Sequence, residues 1–217
     1  MKVNDTVANV TRAAHDVGLA AWLGGAMFGK FAHNPSLAKI SSRSERGSVT
    51  NAAWNGYNPI NAVGLGTAAL AWTAARMTEA KPGNLTGRER TLSNVKDGLM
   101  AASVVTGALS GVQGARLARQ APDGAVPVKT GTQPTTDTPP KAAGIQRSLG
   151  LLGNLTIASG VTLVAVNAIL AQTNHSRPST SRALRRPSSP SGTSPLWIGS
   201  GVAAAAALAD QLRRRLG

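Results

Sequence analysis

The sequence predicts an all-α integral membrane protein, a bundle of four transmembrane helices with a short helix after it, and three observations predict it. Residues 149–171 carry no charge over 23 positions, between Arg147 and Arg177. Small residues dominate the apolar share, with 24 glycines and only 3% aromatics. Apolar runs also alternate with polar connections rich in Pro, Ser, Thr and Arg, so the mean hydropathy of −0.05 averages over unlike segments.

The uncharged run is the anchor. As a helix it covers about 34 Å, enough for a hydrocarbon core of roughly 30 Å with some tilt. Its six Leu, two Ile and three Val supply roughly −3 to −7 kcal/mol of insertion free energy. Glycine and alanine suit this solvent. In water each helical glycine costs about 1 kcal/mol, whereas between membrane helices small residues allow close backbone approach.

Taken in order, the first span is expected over residues 13–33. Lys30 extends its short uncharged centre by snorkelling. Lys2 and Arg12 before an apolar stretch also suit a signal peptide, but no small-x-small cleavage site follows, so an uncleaved span is expected. Residues 34–58 read as a connection, with Trp54 and Tyr57 suited to the interfacial belt. Pro59 falls in the first turn of a second span, 59–76, where proline is tolerated, and Trp72 lies near its exit. A polar turn follows, then a third span over 98–116. Residues 120–141, rich in Pro, Thr and Gly, are expected to be a flexible loop. The fourth span is 148–172. Residues 173–195 read as a disordered basic linker, and 196–217 as a short terminal helix, interfacial or a fifth span.

The chain carries 23 Lys and Arg against 9 Asp and Glu, a net charge of +14. With four spans, one side holds 11 basic residues and the other 9, or 14 against 9 if the terminal helix does not cross. That bias places both termini in the cytoplasm and the chain in the cell membrane as a multi-pass protein. Anionic lipid head groups are the expected partner of the basic tail, Arg177, Arg182, Arg185, Arg186, Arg213, Arg214 and Arg215. Nucleic acid is disfavoured, since no aromatics interleave these cations to stack bases.

Small residues make the clearest pattern. Gly18, Gly25 and Gly29 share one face of the first span, and Ser103, Gly107 and Gly111 repeat every four residues in the third. These are helix-packing faces, toward another span of this chain, a second copy, or another membrane protein. His15 and Asp16 are a candidate proton or ligand site, because an ionisable residue within a span is a functional hypothesis by default. Against it stands simple pairing of Asp16 with Arg12, four residues away. Asn61, Asn154 and Asn167 are expected to hydrogen-bond across helices. Asp16 to Ala21 is echoed by Asp97 to Ala102, which suggests two similar hairpins.

No catalytic motif, metal cluster or cysteine occurs, so neither enzyme activity nor a cofactor is expected. A bis-histidine haem fails on geometry: His15 and His33 lie about 27 Å apart on one helix. The Ala, Gly and Arg bias, with the stretch HDVGLAAWLGGAMFGKF, resembles the uncharacterised small multi-span membrane proteins of high-GC bacteria such as actinobacteria. The resemblance implies a layout and transfers no activity. The expected function is a non-enzymatic bundle that packs through its small-residue faces. A small transporter or channel using Asp16 and His15 is the first alternative, and a soluble Ala-rich nucleic-acid-binding protein the second.

Overall fold

Four long helices carry the fold. The structure is a computed structural model and describes residues 5–121 and 125–175. Helix α1, Asp5–Phe28, runs on through a π turn at Gly29–His33 and two short turns to Lys39. Helix α2 is Arg43–Met77, α3 is Gly87–Ala118 and α4 is Pro140–His175. Residues 173–175, expected to open the linker, continue α4, and the rest of the linker and the terminal helix lie outside the described residues.

All four helices are longer than the apolar runs within them, and in two of them an N-terminal cap explains the excess. The Ser42 hydroxyl accepts from the Glu45 N–H, and Glu45 complements the positive end of the dipole. Helix α2 therefore starts at Arg43, and Pro59 lies in its interior rather than in a first turn. At α3, Thr86 and Glu89 form a complete capping box, with Thr86 N–H donating to Glu89 Oε2 at 2.8 Å. Residues 43–58 and 87–97 were expected as connections because they are polar. Hydropathy reports the preferred solvent of a segment, whereas capping and propensity decide its backbone.

The contacts define an up-down-up-down arrangement. Gly18 meets Gly64 and Gly29 meets Trp54, so α1 and α2 are antiparallel. Ser103 bonds Ser159 and Gln113 bonds Ser148, so α3 and α4 are too. Asp16 reaches Asn167 and Trp72 reaches Asp97, which closes the square through α1 on α4 and α2 on α3. The core between them holds Leu19, Trp22, Leu65, Ala68, Met100 and Leu163. Trp22, 1% exposed, is its largest fully buried side chain. Gly160 makes room for it: a Cβ there would stand 3.1 Å from the Trp22 ring.

The segment expected to be a flexible loop instead folds against α2. Strands β1, Val128–Thr130, and β2, Gln133–Pro134, form a small antiparallel ribbon. Val126 and Val128 are buried, and Thr138 donates to the Pro127 carbonyl at 2.6 Å. Arg46 donates to the Lys129 carbonyl and Arg43 pairs with Asp137. Pro and Thr cannot build a core alone, but two valines on a neighbouring helix can anchor them.

Large apolar side chains also stand on the outer surface. Val17, Phe28, Phe31, Val63, Leu70 and Leu151 are each more than 60% exposed. Among the described residues, α3 and α4 are long and apolar enough to cross a membrane.

Candidate functional site

A polar junction crosses the bundle where all four helices meet. On α1, His15 is 4% exposed and its Nδ1 lies 2.9 Å from Asp16 Oδ1. The same carboxylate oxygen accepts from Asn167 Nδ2 of α4 at 2.9 Å. Asn167 Oδ1 in turn accepts from Lys96 Nζ of α3 at 2.6 Å. The Lys96 ammonium sits 3.9 Å from the centre of the Trp72 ring of α2. Trp72 Nε1 donates to Asp97 Oδ1 at 2.7 Å, and Arg76 pairs with Asp97 Oδ2 at 3.0 Å.

The chemistry of this line follows from who is buried. Lys96 is only 2% exposed, and no carboxylate among the described residues lies within salt-bridge distance of its ammonium. A buried charge so placed needs compensation. It donates a charge-assisted hydrogen bond to the Asn167 amide oxygen and makes a cation–π contact worth about 2 kcal/mol when desolvated. Asp16 is the open end, with 61% of its side chain exposed. His15 Nε2 is the closed end, buried and without a hydrogen-bond partner among the described residues. Carboxylate, amide and ammonium in series, with a spare imidazole nitrogen, suit holding a proton or small ion. Among the described residues no group of three or more His, Cys, Asp or Glu is placed to hold a metal.

Several expected residues are found elsewhere. Arg12 pairs with Glu79 at the end of α2, not with Asp16, although the i,i+4 spacing allowed the local pair. Asn167 bonds across helices, whereas Asn154 is exposed and the buried Asn61 Oδ1 has no partner. Trp54, Tyr57 and Trp72 do not project as an outward belt. Trp54 and Tyr57 cover Gly29 and Gly25, and the Tyr57 hydroxyl donates to the Ala21 carbonyl. The face of Gly18, Gly25 and Gly29 is thus occupied by α2. Gly107 meets Leu65 of α2, Ser103 is fully buried beside Ser159, and Gly111 faces open space. The basic tail residues, Arg177 to Arg186 and Arg213 to Arg215, lie outside the described residues.

Lys96 and Arg76 were not singled out from the sequence, and Trp72 and Asp97 were noted only as a belt aromatic and as part of the echo. One signal pointed to them: the echo that aligns Asp16 with Asp97. Each aspartate follows a basic residue, and each bonds to the second helix of the other hairpin, Asp16 to α4 and Asp97 to α2. The chain matches no known protein family, no curated protein and no solved structure.

Proposed function

We propose that this chain is an integral, multi-pass protein of the cell membrane, a non-enzymatic bundle of four spans with both termini cytoplasmic. One observation carries the reading: large apolar side chains face outward while His15, Ser93, Lys96, Ser103, Gln146 and Thr156 are buried. In water each outward Val, Leu or Phe forgoes about 1.5–3 kcal/mol of burial. Six of them therefore forgo around 10 kcal/mol, as much as a whole domain's stability. In lipid the same surface costs nothing.

Dimensions agree with this. From Lys96 to Gln113 α3 rises about 26 Å, and from Ser148 to Asn167 α4 rises about 29 Å, near the thickness of a hydrocarbon core. The polar junction then lies at one interface. Reporter fusions after residues 41, 84 and 131 should alternate in sidedness, and the protein should need detergent for extraction. A chain that stays monomeric and helical in plain buffer overturns the reading.

A second reading, a small transporter or channel, is favoured by one observation: the Asp16–Asn167–Lys96 line beside the unpartnered His15 Nε2. It expects proteoliposome flux of protons or small ions that Asp16→Asn abolishes. Absence of any pH-dependent flux would retire it.

A further inference from the structure

At the far end of the α3–α4 hairpin from the polar junction lies a cavity of about 570 Å³. Arg116 and Arg119 enter it from the end of α3, and Lys141 from the first turn of α4, with Gln113, Ser148 and Ile145 completing much of the lining. None of the three cations forms an ion pair among the described residues, although Arg43 pairs with Asp137. Two features favour a negative occupant. Three exposed like charges share one cavity. Lys141 also sits at a helix N-terminus, where the dipole disfavours a cation. Gln113 donates to Ser148 at 3.2 Å, so neutral hydrogen-bonding groups stand beside the charges.

We propose that this cavity binds a phosphate group, carried by an anionic phospholipid head group or by a free phosphoester. A phosphate offers oxygens to both guanidinium forks and to the ammonium together. In a bilayer the cavity stands about 26 Å of helix rise from Lys96, at the opposite interface and therefore at head-group depth. The lipid source rests on the membrane reading above, whereas the phosphate site does not.

The test uses the full chain in neutral detergent, probed with phosphatidylglycerol, phosphatidylcholine and inorganic phosphate by native mass spectrometry. Wild type should retain phosphatidylglycerol over phosphatidylcholine, and inorganic phosphate should displace it. Arg116→Gln with Lys141→Gln should weaken retention about tenfold or more, at roughly fivefold per charge. Lys81→Gln, on the turn between α2 and α3, should leave it unchanged. Helicity by circular dichroism confirms folding, and Arg119→Gln alone serves if the double variant does not fold. A chain that proves water-soluble yet binds inorganic phosphate through these cations keeps the site and loses the lipid. Equal retention by wild type and the folded variant overturns the proposal, as does an equal loss in Lys81→Gln.

Discussion

Replacing Gly18 with alanine tests the packing of α1 on α2 directly. A Cβ at Gly18 would stand 2.5 Å from the Gly64 carbonyl oxygen and 3.0 Å from the Ala68 nitrogen. Both are backbone atoms, so no side-chain rotation relieves the clash and the helices must move apart. Separation also loosens Leu19, Trp22 and Leu65, which share that interface. Overpacking of this kind costs about 1–3 kcal/mol, against at most about 1 kcal/mol gained from the helix propensity of alanine. The net expectation is a loss of about 1–2 kcal/mol. Gly111→Ala supplies the control, because a Cβ there meets nothing within 4 Å and only the propensity gain remains. The two substitutions in the expected small-residue stripes should therefore have opposite signs. Reversible unfolding in mixed detergent, followed by circular dichroism, measures both. A Gly18→Ala protein as stable as wild type would refute the close approach and the fold built on it.

Two further expectations follow from the polar groups. Asn167→Leu removes the amide between Asp16 and Lys96 and leaves a buried ammonium under-satisfied. It should destabilise by about 1–3 kcal/mol, whereas Asn154→Leu on the exposed side of the same helix should not; equal effects would sink the junction's role. The Arg43 hydrogen bond holds the Asp137 carboxyl below its usual value near 3.8. A depressed carboxyl contributes stability above its unfolded pKa and loses it as pH falls through the folded one. Amide exchange over residues 125–139 should therefore quicken relative to the helices below about pH 4, and Arg43→Gln should remove that pH dependence.

The sequence by itself determined where the apolar centre of each helix lies and that small residues line the faces where helices meet. Those signals are local: hydropathy and residue spacing are read within one turn or one run. Two helix starts have a sequence signal that hydropathy does not register, Ser42 with Glu45 and Thr86 with Glu89. Which partners the polar groups find was decided by the tertiary structure alone. Arg12 had Asp16 one turn away and takes Glu79 instead, 67 residues along the chain. Lys96 is an ordinary lysine on a polar stretch until α2 and α4 bury it against Trp72 and Asn167. Val126 and Val128 are two valines in a proline-rich segment until the fold buries them, Val126 against Leu117 and Ala142. The Arg12 pair is exposed and is set by which carboxylate the fold brings near, whereas desolvation gives the other two their weight. A charge or an apolar side chain acquires its energetic weight only when water is removed, and which water is removed depends on elements far apart in the chain.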